Sequence, residues 1–170
     1  MVLSLSLAKT HCRVDGNDED ELMLDYIESA VDWVETYTGH ALSEKQIVQK
    51  FSCFTPQLKL NVEPVRSIES ITYLDEDGAE QTFTDFRLWK DCIVPQVGFS
   101  WPTALYQSEI EVALTVGYDE DDLPKSLKNA VRLLVGHQYE NRESVVVGTI
   151  ASQLPQGVIA YAHPYRGDRV

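Results

Sequence analysis

Apolar residues recur every three or four positions between residues 18 and 39: Met23, Ile27, Ala30, Val31 and Val34, with Tyr37 near the same stripe. That spacing gathers them on one face of a helix. Asp18 and Glu21 have the spacing of a capping box, with Asp in place of Ser or Thr, and Gly39 stands where a left-handed residue ends a helix. Upstream, Ser4 predicts the cap of a short helix running through Arg13, with Leu5, Ala8 and Cys12 at helical spacing. Asp15-Gly16-Asn17 predicts the turn between the two. A further stripe of Leu127, Ala130, Val131, Leu134, Val135 and Tyr139 predicts a long helix over 123–143. Pro124 suits its first turn, and the acids just before it suit its positive end.

Between 45 and 118 the period shortens to two, which predicts strands. Ile47, Gln49, Phe51 and Cys53 alternate with Val48, Lys50 and Ser52, and Leu58 and Leu60 flank Lys59. Ile68, Ser70, Thr72 and Leu74 alternate with Glu69, Ile71 and Tyr73. Asp77-Gly78 then predicts a tight hairpin into a strand over 80–86. A second hairpin turns at Lys90-Asp91, and Pro95 and Pro102 bound loops. Ile110, Val112, Leu114 and Val116 alternate with Glu109, Glu111, Ala113 and Thr115, the pattern of a strand with one wet face.

After the last helix, Val145-Val146-Val147 leads into a stretch with Gly and Pro that also holds Ile150, Leu154, Val158 and Ile159. This predicts an extended C-terminal arm over 144–170, laid on its own core or on a neighbouring subunit by strand addition. The fold class expected is α+β in a single domain over 1–170. Two N-terminal helices and one long C-terminal helix form a bundle, an antiparallel β module is inserted over 45–118, and an arm trails behind. A chain of 170 residues suits one domain with a core of its own.

Charge changes the picture more than composition does. The chain holds 27 Asp and Glu against 14 Lys and Arg, a net of −13. Gripping a phosphate backbone needs clustered cations, so the acid excess argues against tight DNA binding; it does not forbid letting DNA slide past. By segment, residues 1–122 carry 24 acids and 8 bases, and residues 123–170 carry 3 acids and 6 bases. An acidic body and a mildly basic last segment suggest an assembly with two unlike faces. Cys12, Cys53 and Cys92 are odd in number and lack Cys-x-x-Cys spacing, which suits a reduced, intracellular chain. The start reads as no signal peptide, and no apolar run approaches the ~18 residues of a membrane span.

Catalytic motifs are missing: no Gly-x-Ser-x-Gly, no phosphate-binding Gly-Lys-Ser/Thr, no Gly-x-Gly-x-x-Gly. Asp15, Asn17 and Glu21 lack the glycine and the closing spacing of a calcium loop, and read as helix-start acids. His137 and Glu140 share a helix face, yet a metal needs further ligands and no histidine cluster supplies them. His11, His40 and His163 share no triad spacing with a serine or cysteine. No catalytic residue, metal or cofactor is expected.

Several short motifs stand in order along the chain. Ser4-Leu5-x-x-Ala8-Lys9-x-His11-x-Arg13-Val14-Asp15 is followed by an acidic turn and a helix ending in Tyr37-Thr38-Gly39. Gly117-Tyr118 and an acidic loop precede Leu123-Pro124, Leu127-Lys128-x-Ala130 and Leu133-Leu134-Val135. Tyr139-Glu140-Asn141-Arg142-Glu143 runs into Val145-Val146-Val147-Gly148, and Leu154-Pro155-x-Gly157-Val158 and Pro164-Tyr165-Arg166 complete the set. The ordered set resembles the small head–tail connector (adaptor) proteins of tailed double-stranded-DNA phages and prophages, over nearly the whole chain.

The resemblance implies a non-enzymatic virion protein of the neck, made in the host cytoplasm. It implies a ring, dodecameric, beneath the portal, which extends the DNA channel and meets a tail or stopper protein. DNA passes without specific binding, and no membrane is involved. On this reading some of Asp119, Glu120, Asp121 and Asp122, or acids of the second helix, are candidates for facing the channel. Tyr139, Asn141, Arg142, Val145, Val146, Val147, Pro164, Tyr165 and Arg166 are candidates for contacts with a neighbouring subunit or the portal. Two other classes are carried beside it: a small intracellular enzyme with a dispersed site, and an acidic DNA mimic.

Overall fold

The computed structural model describes residues 2–142 and 155–167. They fall into two compact units, one of Met1–Ser43 with Tyr118–Val170 and one of Glu44–Gly117. The first is helical and the second is all β, so the class is α+β.

In the helical unit, α1 spans Leu5–Cys12, α2 Asp20–Thr38, α3 Lys125–Glu140 and α4 Gln156–Ala162, with a 3-10 turn at His163–Tyr165. Ser4 caps α1, its hydroxyl accepting from Leu7 N at 3.3 Å. Arg13 ends that helix one residue earlier than the spacing predicts, in a left-handed conformation at φ 56°. Gly39 ends α2 at φ 82°, its N–H donating to Glu35 O at 2.8 Å. The expected capping box does not form. Glu19, not Asp18, stands at the N-cap of α2, and no side chain caps the backbone there. The local acids have found tertiary partners instead. Asp20 Oδ1 pairs with Lys9 Nζ at 2.5 Å, and Glu19 is drawn to α3.

The core of this unit is the one the two stripes predict. Met23, Ile27, Ala30 and Val34 of α2 meet Leu127, Ala130, Val131, Leu134 and Val135 of α3, with Ala8 of α1 closing one side. Thr38 is the one buried polar side chain among the described residues; its hydroxyl donates to Val34 O at 2.7 Å and accepts from His40 N at 3.1 Å.

The extended arm is corrected in its described part. Residues 156–162 are helix, and Val158 and Ala162 are fully buried in the same core. Their separation of four is a single helical repeat. One repeat is too short to stand out among the surrounding Gly and Pro. Val145, Val146 and Val147 lie outside the described residues.

In the β unit, β1 (Lys45–Phe51), β7 (Ile110–Val116), β3 (Val65–Leu74) and β4 (Glu80–Phe83) form one antiparallel sheet in that order. β2 (Leu58–Lys59), β6 (Cys92–Pro95) and β5 (Phe86–Trp89) form a second. β7 is central, with Ile110, Val112, Leu114 and Val116 fully buried and the alternate residues half-exposed. Across its wet face, Lys50 Nζ reaches Glu109 Oε2 at 2.7 Å and Glu111 Oε1 at 3.0 Å, and both carboxylates raise the lysine pKa.

The Asp77-Gly78 hairpin forms as predicted, with Gly78 at φ 80°. Asp75 organises it, its Oδ1 accepting from Asp77 N at 3.1 Å and Ala79 N at 2.9 Å. The strand after the turn stops at Phe83, and Phe86 opens the next one. Pro95 is the last residue of β6 and bounds the loop that follows.

Candidate functional site

The acidic loop lies between Tyr118 and α3. All four carboxylate-bearing residues, Asp119 to Asp122, are exposed, while Leu123 beside them is buried. The loop is held by its backbone. Asp119 O accepts from Asp122 N at 3.2 Å and from Leu123 N at 3.1 Å, and Glu120 O accepts from Lys128 Nζ at 2.8 Å. The acidic side chains are thus displayed by a loop pinned at both ends.

At the far end of α3 the structure brings together two of the residues singled out as interface candidates. Tyr139 Oη donates to Glu19 Oε2 at 2.8 Å, and Arg142 Nη2 donates to Glu19 Oε1 at 2.6 Å. The Arg142 guanidinium also lies over the Tyr139 ring, 4.8 Å from its centroid. The three side chains tie the start of α2 to the end of α3. Asn141 stays local, its Nδ2 donating to His137 O at 2.9 Å. Nothing in the local pattern around Glu19 announces its role, because the partners lie about 120 residues away.

The tyrosine bond, then the arginine, hold the Glu19 carboxyl below its usual 4.5. A lowered folded pKa stabilises the fold above the unfolded value and loses that contribution as pH falls through the folded one. Glu19→Gln is therefore expected to flatten the fall in thermal stability on acidification below 4.5, followed by melting curves across that range. An unchanged acid limb would mean the bracket contributes nothing.

Pro164, Tyr165 and Arg166 sit at the opposite end, in an aromatic cluster. Tyr165 meets the His40 ring edge-on at 5.7 Å between centroids, and His40 stacks on Tyr118 with Nδ1 2.8 Å from the phenol oxygen. Arg166 lies over Tyr37 at 5.3 Å, and Tyr37 stacks on Trp33 at 4.9 Å. The motif residues Tyr118 and Tyr165 therefore meet at His40, which the spacing analysis leaves unassigned, and Tyr37 joins the same C-terminal segment through Arg166. His163 stands 3.4 Å from the Tyr37 hydroxyl.

His137 faces Asn141, with Nδ1 3.3 Å from Nδ2. Among the described residues no three His, Cys, Asp or Glu are grouped to hold a metal ion, and no helix is long and apolar enough to cross a membrane.

A family model described as phage gp6-like head-tail connector protein matches residues 3–94. No curated protein matches the chain. Among solved structures, the chain is similar to one from the neck of an empty gene transfer agent particle computed with C6 symmetry. The TM-score is 0.82 at 24% identity, covering 99% of this chain and 91% of the other. A chain from the virion of a native gene transfer agent particle gives 0.83 at 24% identity, with the same coverage. One from the neck of a native particle computed with C12 symmetry gives 0.74 at 24% identity, over 100% of this chain and 93% of the other. These likenesses establish the shared fold. With the family model spanning more than half of the sequence, the chain belongs to the phage gp6-like head-tail connector family.

Proposed function

We propose that copies of this chain form a ring in the phage neck that joins the portal to a tail or stopper protein and extends the channel through which DNA passes. The observation that carries the reading is the similarity, over nearly the whole chain, to neck structures computed with C6 and C12 symmetry. A connector of this family is a structural protein and not an enzyme, so the dispersed-site enzyme falls away. Twelve copies is the stoichiometry proposed. Light scattering of the protein mixed with portal rings tests it: a stoichiometric cap on the portal supports the reading, and a chain that ignores the portal overturns it.

Asp119, Glu120, Asp121 and Asp122 face the channel in this proposal. Carboxylates on a pinned loop repel phosphates, whereas each cation set against DNA would add to its grip. Changing all four to Lys is expected to slow DNA passage and lower infectivity at least tenfold, with no loss of thermal stability. Ejection and infectivity at the level of the parent would remove these residues from the channel.

The segment after Tyr139, including Asn141, Arg142, Val145, Val146, Val147, Pro164, Tyr165 and Arg166, contacts a neighbouring copy or the portal. Truncating the whole arm is no clean probe of that contact, because Val158 and Ala162 would leave the core with it. Point changes at Asn141 and Pro164 leave the core intact.

A further inference from the structure

The outward side of α2 carries a row of acids. Glu21, Asp25, Glu28 and Asp32 follow one another at steps of four, three and four, so they form one stripe about 16 Å long. All four are exposed, and no ion pair among the described residues involves them. The helix contains no Lys or Arg. Like charges three and four apart destabilise a helix that carries them, so this stripe costs the isolated fold a few tenths of a kcal/mol per pair.

α3 carries the opposite charge on a stripe that is exposed at Lys125 and half-buried at Lys128 and Arg132, the last beside His11 of α1. Lys125, Lys128 and Arg132 follow at steps of three and four, about 10 Å from first to last. None of them has a carboxylate partner among the described residues: Lys128 reaches a backbone carbonyl, and Arg132 Nη2 donates to Asn129 Oδ1 at 2.9 Å. Arg132 Nε is buried with no hydrogen-bond partner among the described residues.

We propose that the acidic stripe of α2 in one copy docks on the basic stripe of α3 in the next, and that this contact closes the ring. The inference rests on the ring reading above. A ring needs a heterologous contact, in which two unlike patches of one protomer meet head to tail. The two stripes are such patches, opposite in sign, the acidic one about 16 Å long and the basic one about 10 Å, and each lies on a different helix. Copies that each carry −13 repel one another as wholes, so attraction has to come from local complementarity where they touch. Exposed pairs contribute little one at a time, and three in register act together.

Salt alone is a poor test, because it weakens both the stripe attraction and the overall repulsion. Charge reversal separates them. The variant Glu21→Lys/Asp25→Lys/Glu28→Lys/Asp32→Lys lowers the net charge from −13 to −5, and Lys125→Glu/Lys128→Glu/Arg132→Glu raises it to −19. Combining all seven changes gives −11.

Assembly is read by sedimentation velocity, with and without portal rings, on variants whose circular dichroism matches the parent. Both single-face variants are expected to associate roughly a hundredfold more weakly, three contacts having changed sign. The −5 variant weakens although its overall repulsion has fallen. The seven-change variant, and an equimolar mixture of the two single-face variants, regain assembly because each acidic face again meets a basic one.

If the −5 variant assembles as well as the parent or better, the stripe contact is overturned and the ring reading stands. Failure of both the seven-change variant and the mixture to assemble, while folded, also overturns the contact. If the parent itself never associates, alone or on portal rings, the ring reading fails and the contact with it.

Discussion

Leu127→Ala is expected to lower the stability of the helical unit by about 3 kcal/mol, within the usual 2–5 for a fully buried leucine. Leu127 is fully buried in the cluster where α2 and α3 meet, alongside Ala30, Val34 and Val131. Removing its side chain loses the transfer energy of the buried methyl and methylene groups and leaves a cavity that packed helices close only in part. The measurement is denaturant unfolding followed by Trp33, which belongs to this unit and stacks on Tyr37. Trp89 and Trp101, both in the β unit, are changed to Phe so that one unit is read at a time. A loss under 1 kcal/mol would mean that α2 and α3 are not held by this core.

Excising residues 44–117 in favour of a short Gly/Ser linker is expected to leave the helical unit folded. The excision removes all seven strands and none of the residues of the helical core. The ends to be rejoined are close. His40 and Tyr118 stack with their rings 5.9 Å apart, only three residues before Ser43 and at the re-entry of the chain. About six linker residues, at roughly 3.3 Å each, span that gap with slack. The expected spectrum is purely helical, with a cooperative melt and the Tyr37 cluster intact. A chain that loses helicity or aggregates would show that the helical core cannot stand alone.

Periodicity made most of the fold legible. The stripes of α2 and α3 pick out their own buried faces, and the alternation on β7 picks out Ile110, Val112, Leu114 and Val116. Both signals are strong because the core is one-sided and the elements are long. Three features were not legible, each for a physical reason. α4 buries only Val158 and Ala162, which is too few positions to set a period. The N-cap of α2 was misplaced because Glu19 and Asp20 satisfy partners on other helices rather than their own backbone.

The third is the pairing of candidates with one another. The motif list contained Tyr139 and Arg142 but no hint that both close on Glu19, since a contact between distant residues leaves no spacing to read. Family membership, by contrast, was legible in the order of short motifs from Ser4 to Arg166, none of which is diagnostic alone.

The helical unit is assembled from two stretches of chain with the whole β unit between them. That order matters while the protein is being made. α2 leaves the ribosome with Met23, Ile27, Ala30 and Val34 uncovered, and their partners on α3 begin only at Lys125. At ~5–20 residues per second, residues 39–124 take on the order of ten seconds to appear. Throughout that interval an apolar helix face waits beside other nascent chains bearing the same face. The insertion therefore makes translation speed and chaperone supply part of what decides how much of the chain matures.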